Sequence, residues 1–329
     1  MSSNLSDPLD DALDNLRVSG AVLLHEAYLT PWAIAVPGEA RLRQLLGASP
    51  DVRILVFHFV RNGEFALKMG RHDAVPIRTA EVVICPSGAP HRMARGKGAP
   101  SVPFEAILRG DGPAPAAPGT PNATELVCGA FYLRAAPLNP LLAALPPILR
   151  VATDDASGSP MLAGIAAMLT SEVDRGAFRS FTVARLLEVF CAETIRAYQR
   201  TEGTHLPGWF KGLADPRISE AIRQIHAAPA RDWTVPSVAA MVALSPSRFA
   251  ARFREKTGHS VMHYVSGWRA NVACRMLRDT DLALTQIAHR VGYQSLPAFS
   301  RAFKGRVGQA PGAWRAAHAD SRKHPSLVT

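Results

Sequence analysis

VAAMVALSPSRFAARFREKTG (Val238–Gly258) and, about 50 residues further on, IAHRVGYQSLPAFSRAFKGRVG (Ile287–Gly308) are two copies of one pattern. Phe249 and Phe253 recur as Phe299 and Phe303, Arg254 as Lys304, and Gly258 as Gly308. One extra residue in the second turn, Gln294, brings Val238-Ala239 onto Ile287-Ala288. Each copy reads as a short apolar helix, a turn, and a second helix rich in Arg and Lys. That is the pattern of a helix-turn-helix, whose second helix can lie in a DNA major groove.

Residues four apart share one side of a helix, so each Phe pair marks an inward face. At about 100° per residue, the position two after the first Phe points nearly opposite. In the second copy that position is Arg301, with Lys304 near the same face. In the first copy it is Ala251, with Arg254 beside it and Ser247 one turn earlier. Arg248 and Arg252 flank the Phe face, within reach of phosphates. The planar guanidinium of Arg301 suits bidentate bonding to guanine, whereas Ala250 and Ala251 offer no side-chain hydrogen bond. The first copy is therefore expected to read thymine methyls or groove shape. A long helix from about His263 to Arg278 separates the copies, and ~15 residues span ~22 Å. Such a spacer can hold two reading helices in successive major grooves, which are ~34 Å apart. Gly258 and Gly308 follow the reading helices, where a left-handed cap is expected, so valine at either should hurt folding.

The charge agrees with this placement. The 329-residue chain carries a net +10. Residues 205–329 hold 18 Lys/Arg against 7 Asp/Glu, while residues 1–204 hold 19 against 20. All the excess positive charge lies in the repeat-bearing part, and a basic surface attracts DNA by releasing its counterions. A length of this order suggests about two domains at ~150 residues each, and 47% hydrophobic residues suffice for packed cores.

The four cysteines (Cys85, Cys128, Cys191, Cys274) are widely spaced and form no C-x-x-C pair, so neither a zinc ribbon nor a disulfide framework is expected. The first residues, MSSNLSDPLDDALDNL, are polar and acidic, unlike a signal peptide. The apolar stretch Leu138 to Leu149 is broken by Pro140, Pro146 and Pro147, so no segment is expected to span a bilayer. A cytoplasmic protein is expected.

Between about residues 20 and 135 the signals are those of strands. The runs are Arg53-ILVFHFV-Arg61, Glu64-FALKM, Glu81-VVIC, Phe104-EAIL and Glu125-LVCGAFYLR, separated by turns at Asn62-Gly63, Arg71-His72-Asp73 and Pro86-Ser87-Gly88. Closely spaced strands of this kind suggest a sandwich or barrel. GDGPAPAAPGTP (110–121) reads as a mobile loop. After Pro147 the periodicity turns helical. Met161 to Val173 and Thr182 to Tyr198 form a pair, with Val183, Leu186, Leu187, Phe190 and Ile195 at helical spacing and Glu193 and Arg196 elsewhere on the second helix. The pair serves either as a linker and dimer interface or as packing for the neighbouring barrel. TEGTHLPG (201–208) reads as a hinge, and from Pro216 the chain is nearly all helix, beginning with Ile218 to His226.

Residues from about 215 to 317 resemble the DNA-binding domain of AraC/XylS-type transcription regulators. The matching residues are Ser245-x-x-x-Phe249-x-x-x-Phe253, Thr257-Gly258-His259-Ser260, Tyr264, Trp268-Arg269, Ala273, Met276-Leu277, Ile287-Ala288, Val291-Gly292-Tyr293, Phe299-Ser300-Arg301-x-Phe303-Lys304, Gly308 and Pro311. The resemblance implies two helix-turn-helix units joined by one long helix. It places base contacts on Ser247, Ala250 and Ala251 in the first unit and on Pro297 and Arg301 in the second.

Cys85-Pro-Ser-Gly-Ala-Pro-His91 contains P-x-G-x-x-H, which resembles the second cupin motif. In cupin enzymes that His binds a metal together with two His and a Glu of the first motif. Here Phe57-His58-Phe59-Val60 offers one His, and Glu64 is off the expected spacing. A catalytic metal site needs at least three protein ligands and an open position, so His58 and His91 fall short and no metal or cofactor is expected. Residues 10–150 resemble the cupin-like sensor of AraC-type regulators, which implies a small-molecule effector. Candidate contacts are Tyr28, Trp32, His58, His91, Tyr132 and Arg134, polar or aromatic groups on strands.

The expected fold is α+β with two domains: an N-terminal cupin-like β-barrel (10–150), a helical linker and dimerisation segment (151–210), a C-terminal all-α domain with two helix-turn-helix units (211–318) and a disordered tail (319–329). The expected function is sequence-specific regulation of transcription through double-stranded DNA, without catalysis, with a homodimer as one of the oligomeric states left open. The alternative is a cupin metalloenzyme with an accessory DNA-binding domain.

Overall fold

The computed structural model describes residues 6–49, 52–117, 119–134, 138–154, 159–203 and 208–318. The expected tail (319–329) and half of the expected hinge (204–207) lie outside them.

The N-terminal half begins with a short helix, α1 (Pro8–Asp14), whose N-cap Asp7 accepts from the Leu9 amide. Strands β1 (Arg17–Leu29) and β2 (Trp32–Val36), helix α2 (Glu39–Leu45), and strands β3 (Arg53–Asn62), β4 (Glu64–Met69), β5 (Val75–Arg78), β6 (Glu81–Cys85), β7 (His91–Arg95) and β8 (Val102–Pro103) follow. Then come α3 (Phe104–Leu108), β9 (Ala123–Arg134), α4 (Pro140–Ala144) and β10 (Leu149–Ala152). The strands form two five-stranded sheets, ordered β1-β9-β3-β6-β10 and β5-β4-β7-β2-β8. Every pairing is antiparallel except β2 with β8.

The expected barrel is not closed: among the described residues no ladder joins the two sheets. The sheets instead face each other as a sandwich, whose inner side chains fill the space that closure would otherwise enclose. The end strands, β1 and β10 of one sheet and β5 and β8 of the other, pair only within their own sheet among the described residues. The run Phe104-EAIL, expected as a strand, is one turn of helix. Pro103 starts it in an extended conformation and Glu105 sits in its first turn, where a carboxylate suits the helix dipole.

Strand β3 shows how the sheet is built. Its residues from Ile54 to Val60 are all buried because both faces are covered. Side chains alternate along a strand. Leu55, Phe57 and Phe59 therefore join the core shared with the helices, while Ile54, Val56 and Val60 join the core between the sheets. The helical cover is α5 (Pro160–Asp174) and α6 (Phe181–Glu202). Phe190 of α6 sets its ring edge against Phe57 and Phe59, at centroid distances of 6.1 and 6.2 Å. Glu193 of α6 is buried and pairs with Arg196, whose Nε donates to Asp10 of α1 at 3.0 Å.

The C-terminal half is all helix: α7 (Trp209–Leu213), α8 (Pro216–Ala227), α9 (Val235–Met241), α10 (Pro246–Thr257), α11 (Val261–Asp279), α12 (Leu284–Arg290), α13 (Leu296–Val307) and α14 (Pro311–Ala317). Its core is continuous with that on the helix-covered face of the first sheet. Polar contacts also cross between the halves. The Arg278 guanidinium donates to the Arg134 carbonyl at 2.9 Å, and Arg17 pairs with Asp279 at 2.9 Å. His226 Nδ1 of α8 lies 3.3 Å from Asp11 Oδ2 of α1. No described helix is long and apolar enough to cross a membrane.

Candidate nucleic-acid interface

Two similar helix pairs, α9–α10 and α12–α13, flank the long helix α11. Thr234 caps α9 in a capping box with Ser237, satisfying amides that the first turn leaves unpaired. Ser245 caps α10 by accepting from the Arg248 amide, and Pro246 opens the helix where no amide hydrogen is needed. Ser295 caps α13 in the same way through the Ala298 amide. Phe249, Phe253 and Thr257 on α10, and Phe299 and Phe303 on α13, are buried at four-residue intervals. Both helices end on a left-handed glycine, Gly258 (φ 78°) and Gly308 (φ 83°). No heavy atom lies within 4 Å of a Cβ built at either position, so backbone strain alone selects glycine there.

Burying the phenylalanines turns the opposite face outward. Ser247, Arg248, Ala251, Arg252 and Arg254 on α10, and Pro297, Arg301 and Lys304 on α13, are all exposed. The Arg248, Arg254, Arg301 and Lys304 side chains make no hydrogen bond or ion pair with other described residues, which leaves four cations facing solvent on two helices.

Arg252 differs. Its Nε donates to Asp215 Oδ2 at 2.7 Å, and Asp215 also accepts the Arg217 and Ile218 amides as the cap of α8. Burial pushes the Asp215 carboxyl up, but the Arg252 bond and the α8 amides outweigh that and hold it below the usual range. Arg252 thus ties α10 to α8.

Sequence reading missed the braces that orient the pairs. Arg269 of α11 donates to the carbonyls of Pro229 and Arg231 (both 2.8 Å) and lies 5.6 Å from the Tyr293 ring centroid. One guanidinium therefore holds the loop before α9 and the turn before α13 on the same helix. At Gly292 (φ 85°) a Cβ would stand 2.7 Å from the Arg269 guanidinium and 2.9 Å from the Ala230 carbonyl, so the turn has room only for glycine. Arg306 of α13 reaches His263 of α11, 3.1 Å from its carbonyl and 2.9 Å from Nε2. The one available signal was the pairing of Trp268-Arg269 with Tyr293 in the sequence signature. Arg306 had none.

The expected effector residues cluster elsewhere. Tyr28, Trp32, His58, His91 and Tyr132 are buried in or beside the core between the sheets. Arg134 stands at the end of β9, where its carbonyl receives Arg278. Burial pushes the Tyr132 hydroxyl up to about 12 and keeps His58 and His91 below the ordinary imidazole range. A separate cavity of about 640 Å³ lies between the halves, lined among others by Pro140, Pro147, Trp209, His259, Tyr264 and Arg306.

Residues 7–200 match the family model described as Cupin, and residues 238–317 match the one described as Helix-turn-helix domain. A putative AraC-like transcription regulator of Streptomyces antibioticus is 30% identical over 333 residues, covering 97% of this chain and 99% of its own. Another of Streptomyces lividans is 33% identical over 202 residues, 61% of this chain and 64% of its own. The HTH-type transcriptional regulator AlkR of Acinetobacter baylyi is 31% identical over 181 residues, 54% of this chain and 58% of its own. With a cupin match over more than half its length and a relative aligned almost end to end, the chain belongs to the AraC-like family of DNA-binding transcription regulators with a cupin-like N-terminal domain.

Proposed function

We propose that α9–α10 and α12–α13 are two reading units of a sequence-specific regulator, and that α10 and α13 enter successive major grooves on one face of the duplex. The observation that carries this reading is the pair of exposed, unpartnered cationic faces, Arg248 and Arg254 on α10 and Arg301 and Lys304 on α13. Helix α11 holds 19 residues, and at 1.5 Å per residue it spans ~28 Å, close to the ~34 Å between grooves. Arg301 is the base reader, to guanine, while Pro297 and the small residues Ser247, Ala250 and Ala251 sense methyl groups and groove shape. Arg248, Arg254 and Lys304 neutralise phosphate. Residues 211–318 act as the reading domain, 10–150 as the sensor and 151–210 as the linker.

The sensor half takes a small effector, with Tyr28, Trp32, His58, His91, Tyr132 and Arg134 as its candidate contacts. The contacts across the halves (Asp11 with His226, Arg134 with Arg278, Arg17 with Asp279) are where a change in the sensor alters the DNA-competent population. A cupin metalloenzyme is not favoured, since the relatives over most of the chain are named as regulators.

Competition between upstream promoter DNA and random DNA at several salt concentrations tests the reading. Promoter DNA should win clearly, and log K should fall with log[salt] at a slope of about −5 to −7 for six to eight neutralised phosphates. Equal affinity for both DNAs would instead indicate an architectural protein, and a flat salt response would remove the electrostatic footprint.

A further inference from the structure

Two imidazoles and a thiol meet inside the sandwich. His58 lies mid-way along β3, Cys85 ends β6 and His91 opens β7, and they are 0%, 1% and 5% exposed. His58 Nε2 is 2.8 Å from His91 Nε2, which is 3.9 Å from Cys85 Sγ. Donor atoms of all three lie within 4.8 Å of one another. His91 Nδ1 sits 3.2 Å from the Ala89 carbonyl and donates to it, which leaves the Nε2 lone pair aimed at the cluster. His58 Nδ1 is buried and has no hydrogen-bond partner. Two rings in an apolar core thus share a single hydrogen bond, and a half-satisfied buried network is costly. A cation between the two Nε2 atoms binds both lone pairs at once, with the His58 proton moving from Nε2 to Nδ1.

Charge selects the cation. Two neutral imidazoles and one thiolate carry a single negative charge, and no carboxylate joins the cluster among the described residues. A monovalent ion makes a neutral complex, whereas a divalent ion leaves a net charge in the core, where an uncompensated ion costs several kcal/mol. Structural zinc takes four ligands, and here there are three. Thiolate and imidazole together suit copper(I).

We propose that His58, Cys85 and His91 form a three-coordinate site for a soft monovalent cation of the copper(I) class. Bond lengths of about 2.0 Å to nitrogen and 2.3 Å to sulfur, arranged trigonally, require N···N of roughly 3.5 Å and N···S of roughly 3.7 Å. The sulfur already stands 3.9 Å from His91 Nε2 and lies within 4.8 Å of the His58 ring nitrogen, and the two rings need to part by less than about 1 Å. Burial holds the Cys85 thiol up to about 12, so binding exchanges its proton for the metal ion and the proton leaves to solvent. The ladders supply the geometry: β3 pairs with β6, setting Phe57 opposite Ile84 and Val56 opposite Cys85, and β7 lies in the facing sheet. The site belongs to the N-terminal half and does not rest on the DNA reading; it shares His58 and His91 with the candidate effector contacts, so a filled site takes those two out of the effector set.

The test uses the full chain, reduced and kept anaerobic, titrated with copper(I) supplied as its bicinchoninate complex. One ion per chain should transfer to the protein. Cys85→Ser and His58→Gln should each weaken binding by at least about a hundredfold, since even the loss of an outer-shell partner costs 10–100-fold. Cys191→Ser, in the separate core under the helices, should leave binding unchanged. X-ray absorption on the loaded wild-type chain needs no variant and should show two nitrogens and one sulfur. Failure to compete with the chelator, equal affinity in Cys85→Ser, a spectrum without sulfur, or tighter binding of zinc than of copper(I) would each overturn the proposal.

Discussion

Arg252 and Arg301 are both exposed arginines on helices whose Phe pairs face inward, yet one is tied to a carboxylate and the other stands open to solvent. Arg301 is exposed and makes no hydrogen bond or ion pair with other described residues, so Arg301→Ala should leave the urea midpoint unchanged. It should cost about 1–3 kcal/mol of DNA affinity and relax preference at a single base pair. Arg252 is held by Asp215 at 2.7 Å, with its own side chain 45% exposed. After solvent screening that pair is worth at most about 1 kcal/mol, so Arg252→Ala should lower stability by that much and leave base preference intact. A uniform loss across all sequences for Arg301→Ala would reassign it to phosphate. The inward phenylalanines and glycine ends of α10 and α13 were legible because both are local signals. The bond from Arg252 to Asp215 was not, because it joins residues 37 apart through a fold that periodicity does not specify.

At the scale of elements, the joint between α1 and α8 makes a pH prediction. Trp209 Nε1 donates to the Tyr264 hydroxyl at 2.9 Å, and that hydroxyl lies 2.7 Å from His226 Nε2, which accepts its proton. His226 Nδ1 therefore carries the hydrogen and faces Asp11. Trp268 stacks on the ring at 3.5 Å. Burial holds His226 below its ordinary range despite Asp11, and holds His58 and His91 low as well. The folded chain leaves these rings neutral, while the unfolded chain takes up protons near pH 6.5. Stability rises with pH wherever the unfolded state binds more protons. It should therefore fall on acidification from pH 7 to 5, by up to about 1.4 kcal/mol per pH unit for each ring. Asp11, held low, adds a loss only nearer pH 4. Urea midpoints at three pH values check this, and a flat profile would mean the rings are protonated in the fold.

The helix pair α5–α6 carries a second element-scale prediction. Met161, Met168, Phe181 and Val189 are exposed, Phe181 at 79%, on helices whose other faces cover the sheet. Packing on the sheet and dimerisation, which the sequence left as alternatives, are thus compatible on opposite faces. We expect wild-type chain to sediment as a dimer at micromolar concentration and Phe181→Asp/Val189→Asp to sediment as a monomer. A monomeric wild type would remove the dimer from the account. Strands β3, β4, β6 and β9 could be read from their β-branched and aromatic runs. Phe104-EAIL could not be, because five apolar-rich residues after a proline suit a strand or one helical turn equally. Sandwich against barrel was equally hidden, because closure depends on pairing between edges far apart in sequence.

For the whole molecule, the two cores, the basic C-terminal half and the bridging contacts describe a cupin-like half docked on a DNA-binding half, which the proposed function makes sensor and reader. The halves share one apolar core on the helix-covered face of the first sheet, so a rearrangement of the sensor has a mechanical route to α11. The charge segregation announced this division in the sequence. The inter-half contacts did not appear there, since Asp11 with His226 and Arg134 with Arg278 are pairs that only the docked halves bring together.

The central claim is that α10 and α13 occupy adjoining major grooves from one side of the duplex. Guanine methylation interference on the chain's own upstream DNA tests it most directly, run in parallel with wild type and Arg301→Ala. The account predicts two patches of interference per bound chain, ~10 base pairs apart on the same face, of which only the one read by α13 fades in the variant. A single patch, or a variant whose two patches weaken equally, would contradict it.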